Sequence, residues 1–142
     1  MRGKVSYLLD TNPVVVLLNG RPEQALKRIS DRLLSLGPGE AAISVISVFE
    51  LCYGAEKSDR PTLNRERLDG ILKDFDTVNF SEADASAAGR VRADLTKLGT
   101  PIGPYDTLIA GQALARDLIL ITNNTREFAR VPGLRVEDWS DP

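Results

Sequence analysis

Asp10, Glu50, Asp106 and Asn124 are the residues of this chain whose types and positions could carry chemistry. Asp10 lies one residue past a short apolar run at 5–9, and Glu50 falls in the first turn after a second run at 41–45. Asp106 opens the helix that leads into a run at 118–122, and Asn124 stands two residues beyond that run. If the runs are parallel strands, all four side chains meet at one sheet edge. Carboxylates gathered there repel one another and raise one another's pKa unless a cation neutralises them. With oxygen ligands and no nitrogen or sulfur the cation is a hard one, Mg2+, with Mn2+ also accepted. Such an ion lowers the pKa of a bound water, orients it and offsets charge developing on a phosphodiester. The pattern therefore points to metal-assisted hydrolysis.

Composition narrows the field in the same direction. Histidine is absent, which removes the commonest general base, every Ser-His or Cys-His nucleophile and the H-E-x-x-H zinc site. The lone Cys52 forms no internal disulfide and no thiolate cluster, and reads as a small helix residue. Lys plus Arg is 18 against 20 Asp plus Glu, a net charge of −2, so the chain lacks the basic excess of a sequence-blind polyanion binder. Its 142 residues suit one compact domain, 1–142, and no second. No apolar run is long enough to span a membrane, and Met1-Arg2-Gly3-Lys4 precedes only a short strand-like stretch. The expected setting is cytoplasmic.

The elements that must position the four residues follow from periodicity and punctuation. Pro13 suits the first turn of a helix running to about Asn19 before Gly20. Leu26, Ile29, Leu33 and Leu36 then recur at helical spacing, for core or dimer contact, up to Gly37-Pro38-Gly39. Ser47 is the candidate N-cap of a helix to about Lys57, followed by a break at 58–61, a helix over 63–75 and a strand over 77–80. Ala85, Ala88, Val91, Leu95 and Leu98 form one stripe of a helix over 82–98 that Gly99 closes. A helix over 105–116 follows, then the strand at 118–122 and a last edge strand at 134–136. Strands alternating with helices make an α/β domain, a three-layer sandwich around a mainly parallel sheet.

Each residue also has an ordinary reading. Asp10 could be a plain N-cap, and Ser47-Val48-Phe49-Glu50 fits a capping box in which Glu50 only accepts a backbone N–H. Asp106 suits any helix N-terminus, and Asn123-Asn124 any turn. Helix N-termini always lie at that edge of a parallel sheet, so geometry alone leaves the acidic metal site and the ordinary readings both open.

A longer set of motifs separates them. Leu9-Asp10-Thr11-Asn12, the segment at 44–51 with Tyr53-Gly54-Ala55-Glu56-Lys57-Ser58, and Gly99-Thr100-Pro101-Ile102-Gly103-Pro104-Tyr105-Asp106 come in order. Leu108-Ile109-Ala110, Thr122-Asn123-Asn124, Phe128 and Val131-Pro132-Gly133-Leu134 complete the set. Over almost its whole length the chain resembles the PIN-domain ribonucleases, and within them the VapC toxins of type II toxin–antitoxin pairs.

The resemblance implies that Asp10, Glu50 and Asp106 bind the metal, and that Asn124 occupies a fourth catalytic position where many PIN domains carry Asp. An uncharged amide there suits orientation of a water or a carboxylate better than a second metal. Thr11 and Thr122 look like the small polar residues beside the family's site, and Lys57, Arg92 and Arg126 are candidates for RNA contact. The family implies a Mg2+-dependent endoribonuclease that cuts structured RNA, often a tRNA, to 5′-phosphate and 3′-hydroxyl ends and so inhibits translation. It also implies a homodimer, and a VapB-type antitoxin whose C-terminal segment enters the acidic groove and which alone contacts operator DNA. A catalytically silent PIN-like module that binds RNA or a partner is the alternative. A phosphoaspartyl phosphatase would need a carboxylate where this chain has Asn12.

Overall fold

A computed structural model describes residues 4–142, so the reading of Met1-Arg2-Gly3 as part of the domain, with no signal peptide, lies outside the described residues. The chain runs β1 (Tyr7–Leu9), α1 (Thr11–Asn19), α2 (Glu23–Leu34), β2 (Ala41–Ser44), α3 (Val45–Glu56) and α4 (Pro61–Leu72). It continues through β3 (Asp76–Val78), α5 (Glu82–Leu98), α6 (Pro104–Ala115), β4 (Ile119–Ile121), α7 (Thr125–Phe128) and β5 (Val136–Glu137). The strands form one sheet in the order β3-β2-β1-β4-β5, and every pairing is parallel.

Strands buried on both faces must be apolar throughout, and their alternation assigns each residue to a layer. Leu8 and Leu120 point to one side, where they pack with Val91 and Leu95 of α5, Ile109 and Ala113 of α6, and Phe128. Leu9, Ile43 and Ile121 point to the other, against Val14, Ile29, Leu51, Leu68 and Trp139. Leu33 and Leu36 pack onto that second core, so the α2 stripe serves the core. The expected three-layer α/β sandwich is the fold.

Two features hold the α5–α6 side. A Cβ on Gly111 would lie 2.4 Å from the Ala88 backbone, so glycine there lets the two helices approach. The α5 stripe is also turned from the expected one: Asp84 and Ala87 are buried with Ala88, Val91 and Leu95, whereas Ala85 and Leu98 are exposed. Burying Asp84 is possible because Arg116 donates to it at 3.0 Å and Gln112 at 3.3 Å.

Several boundaries differ from expectation, each for a local reason. β2 ends at Ser44, whose Oγ accepts the Ile46 N–H, so Ser44 caps α3 in place of Ser47. Ser47 is instead buried inside the helix, its hydroxyl unpartnered among the described residues. α4 begins at Pro61, which fits the first helical position, and ends at Leu72. β3 and β5 sit at 76–78 and 136–137, where they keep register with their neighbours. Thr125–Phe128, to which the sequence assigns no element, forms α7 with Asn124 at its N-cap position.

Candidate active site

β1 lies at the centre of the sheet, with the chain passing first to β2 and β3 on one side and later to β4 on the other. This reversal opens a crevice at the carboxyl ends of β1 and β4. Asp10, the residue after β1, and Thr122, the residue after β4, face each other across it, and the Thr122 hydroxyl donates to Asp10 Oδ2 at 2.9 Å. The same hydroxyl accepts the Asn124 N–H at 3.0 Å, which ties the loop after β4 to the aspartate. Nearby, Asn12 donates to Asn123 across the two loops at 2.9 Å.

Asp10 stands at the N-cap position of α1 but makes no side-chain cap bond there, so capping does not account for its carboxylate. The capping-box reading of Glu50 fails. With Val45 as the first residue of α3, Glu50 stands in the second turn, one turn later than expected, and accepts the Thr11 hydroxyl at 2.8 Å. Asp106 lies in the first turn of α6, and Gly103 leaves space for it, since a Cβ there would stand 3.3 Å from Asp106 Oδ2.

The charges of these groups are uncompensated. Burial is the largest influence raising the Asp10 pKa; the Thr11 N–H and the Thr122 hydroxyl pull it down, and Glu50 and Glu127 push it up again. Asp106 is raised to about 6, first by burial and then by repulsion from Asp10, Glu127 and Glu50. Among the described residues no Lys or Arg forms an ion pair with any of these four carboxylates.

Glu127 escaped sequence reasoning. It lies in the first turn of α7, where Asn124 Nδ2 donates to its Oε2. The available signal was the i, i+3 spacing from Asn124 at a helix start. Asn124 thus engages the site twice, through its backbone on Thr122 and its amide on Glu127.

Oxygen donors lacking any internal cation are the donor set of a divalent ion, so the residues fit one. Among the described residues no three Asp, Glu or Cys side chains close on a point from which all could ligate one ion. Mg2+ takes as few as one or two carboxylates directly and keeps several waters, so it does not require three to converge.

The basic residues expected to meet RNA make no ion pair with this centre among the described residues. Lys57 follows α3, about 10 Å along the helix axis from Glu50, with its ammonium 4.9 Å from the Tyr53 ring centre. Arg92 is exposed on α5 and forms no ion pair among the described residues, while Arg126 is exposed on α7 next to Glu127. An apolar groove of about 260 Å³ leaves Thr11 and Glu50 and runs between α1, α3 and α4, past Leu51 and Leu68, to Arg67.

The PIN domain family matches residues 7–134. The chain is 41% identical over 136 residues to the tRNA(fMet)-specific endonuclease VapC of Shigella flexneri, covering 96% of this chain and 99% of that protein. It is 38% identical over 135 residues to Ribonuclease VapC2 of Haemophilus influenzae, covering 95% and 98%. Among solved structures, the DNA-bound VapBC of Salmonella typhimurium superposes with a TM-score of 0.85 at 38% identity, covering 95% of this chain and 98% of that one. The fold is that of a PIN domain, and the chain belongs to that family. Within it, the chain belongs to the VapC ribonucleases.

Proposed function

We propose that the chain is the toxin of a type II toxin–antitoxin pair, a Mg2+-dependent endoribonuclease that cuts a tRNA and so inhibits translation. The observation that carries this reading is the cluster of Asp10, Glu50, Asp106 and Glu127, buried or half-buried and repelling one another, with no Lys or Arg among the described residues ion-paired to them. Asp10, Glu50 and Asp106 would hold the ion between them, one or two directly and the rest through its waters, and residues 1–142 act as a single PIN domain. Nucleases of this family depend on divalent ions; Mg2+ is the specific ion proposed, with Mn2+ accepted in its place. When bound, the ion supplies an acidified water and balances charge on the scissile phosphodiester.

The chain's own groups prepare that site. Thr122 fixes the rotamer of Asp10, and Thr11 fixes that of Glu50, so the carboxylates keep their aim without a ligand. Asn124 orients Glu127 rather than adding a charge. Burial and the neighbouring carboxylates raise Asp106 to about 6, so a cation held there would compete with its proton. Lys57, Arg92 and Arg126 lie outside this shell and serve RNA contact at the rim, where they act as separate phosphate contacts.

The partner is a VapB-type antitoxin, as in the VapBC complexes of Salmonella typhimurium and Rickettsia felis, both of which were solved with DNA. The groove between α1, α3 and α4 is apolar along its walls and ends at the acidic centre, which suits an antitoxin segment carrying a basic residue. Operator DNA is contacted through the antitoxin, the toxin itself is a homodimer, and it acts in the cytoplasm. Among the described residues no helix is long and apolar enough to cross a membrane.

The test is incubation of the protein with total tRNA in Mg2+, with and without chelator, beside Asp106→Asn, followed by mapping of new RNA ends. Cleavage to 5′-phosphate ends that both controls abolish is expected. Intact RNA in Mg2+ and in Mn2+ would favour the catalytically silent module.

A further inference from the structure

The Thr122 hydroxyl can hold Asp10 only as firmly as its own backbone is held, and that backbone is tied to the last strand of the sheet. The Thr122 N–H donates to the Glu137 carbonyl at 3.1 Å, and the Leu120 N–H donates to the Arg135 carbonyl at 2.9 Å. β5 is two residues long and lies at the sheet edge beside β4. A chain end of that length frays unless side chains tie it down. Here they do. Trp139 is 4% exposed, lies with its ring centroid 5.1 Å from that of Tyr7, and packs in the core with Leu9, Val14 and Ile29. Its Nε1–H donates to Glu137 Oε1 at 2.9 Å. Arg32 of α2 donates to the same oxygen at 3.1 Å, with its guanidinium 5.0 Å from the indole centre, and Arg28 donates to the Ser140 carbonyl at 3.2 Å. Asp138, Trp139 and Ser140 also border Asn12 and Asn123, the pair that joins the loops after β1 and β4.

We infer that Trp139, with Glu137 and Arg32, positions Asp10 through Thr122. The inference rests on the ribonuclease reading and adds positioning residues from the end of the chain. Each link is a hydrogen bond: indole N–H to the Glu137 carboxylate, Thr122 N–H to the Glu137 carbonyl, Thr122 hydroxyl to Asp10 Oδ2. Any apolar ring at 139 would fill the core, but only an indole also reaches the residue whose carbonyl holds Thr122. Asp10 makes this link matter. Glu50 and Glu127 repel it, and the Thr122 hydroxyl is the side-chain donor that holds its carboxylate in place. If β5 frays, Thr122 loses its outer backbone partner and Asp10 its fixed aim, and a misplacement of about 1 Å at a reacting centre costs on the order of a hundred-fold in rate. Trp139, Glu137 and Arg32 are therefore positioning residues, which act on the centre without touching it.

The test compares Trp139→Ala, Thr122→Val and the double variant in the full chain, by cleavage of the tRNA that wild type cuts, by Mn2+ affinity and by amide hydrogen exchange. Each single variant should lower kcat about ten-fold with KM within about two-fold, and weaken Mn2+ about ten-fold. Both act along one path, so the double variant should also lose about ten-fold; the product of the two losses, about a hundred-fold, would overturn the link. In Trp139→Ala the Thr122 amide should exchange at least about a hundred-fold faster while the amides of β2 keep their protection. Trp139→Phe, which keeps a buried ring, should stay within about three-fold of wild type, and Glu137→Ala, which leaves the core intact, should lose about three-fold. Leu95→Ala removes a buried side chain from the opposite core and should keep wild-type kcat per folded molecule. A loss there equal to that of Trp139→Ala would assign Trp139 to stability alone, and unchanged Mn2+ affinity in both Trp139→Ala and Glu137→Ala would equally overturn the inference. If wild type cleaves no RNA the ribonuclease reading fails, and Mn2+ affinity and the Thr122 amide still decide whether the chain end positions Asp10.

Discussion

Asp10 and Asp84 are both buried, at 3% and 1% exposure, yet the molecule treats them in opposite ways. Around Asp84 the charge is answered. Burial would raise its pKa, but Arg116, the Ser81 N–H and Gln112 together hold it below the usual carboxylate range. Ser81 and Asp84 also close a reciprocal capping box at the start of α5. Around Asp10 only hydroxyl and N–H groups help, and the other nearby charges are carboxylates, so its pKa rises. One aspartate holds two helices together; the other keeps a charge waiting for a partner from outside. Burial alone does not separate a structural carboxylate from a functional one, whereas the sign of its neighbours does.

Exchanging the two roles by mutation is the way to break this contrast. Asp10→Asn or Asp106→Asn should lower RNA cleavage by more than about a hundred-fold, beyond the loss typical of outer partners of a metal site. In metal-free protein the same Asp10→Asn change should leave the denaturation midpoint equal or higher, because it removes repulsion. Asp84→Ala should do the reverse, costing about 3 kcal/mol in denaturant unfolding, at the lower end for a buried pair because Arg116 is partly in solvent. Cleavage per folded molecule should stay at the wild-type level. A mutant pair showing the same stability and activity pattern would erase the distinction.

Smaller changes sharpen it. Thr122→Val removes the hydroxyl that links Asp10 to the Asn124 N–H, and should cut activity about ten-fold, with Thr122→Ser restoring most of it. The pH dependence should divide into two windows. Asp106, raised to about 6, binds a proton more tightly folded than unfolded, so its contribution is present below pH of about 4 and is lost as pH rises to about 6. Asp84, lowered, contributes above its unfolded pKa and loses that stability as pH falls further. Metal-free unfolding followed from pH 3 to 8 should therefore show a decline through the first window, and Asp106→Asn should flatten it.

Most of the scaffold is legible in the sequence because its punctuation is local. Pro13 lies in the first turn of α1 and Pro104 is the first residue of α6, and Gly20 and Gly99 end α1 and α5 in the left-handed conformation at φ 70 and 72. Asp10 and Asp106 follow directly from those signals. Glu50 is found but placed a turn too early, since Ser44 and Ser47 both look like caps and only the sheet register ends β2 at Ser44. Glu127 is missed because α7 is four residues long, too short for periodicity to appear. Asp84 goes unremarked, because the expected stripe over Ala85, Ala88, Val91, Leu95 and Leu98 leaves it out. Its neutralising partner Arg116 is 32 positions away, and no helical pattern reports a pairing at that distance.

The most direct test of the account is Mn2+ binding, followed by the electron paramagnetic resonance of the free ion, at pH 6 and pH 8, in wild type, Asp10→Asn and Asp84→Ala. The account expects wild type and Asp84→Ala to bind alike, more tightly at pH 8 because Asp106 has lost its proton, and Asp10→Asn to leave the ion free. Equal binding by all three proteins, or binding lost in Asp84→Ala and kept in Asp10→Asn, would contradict it.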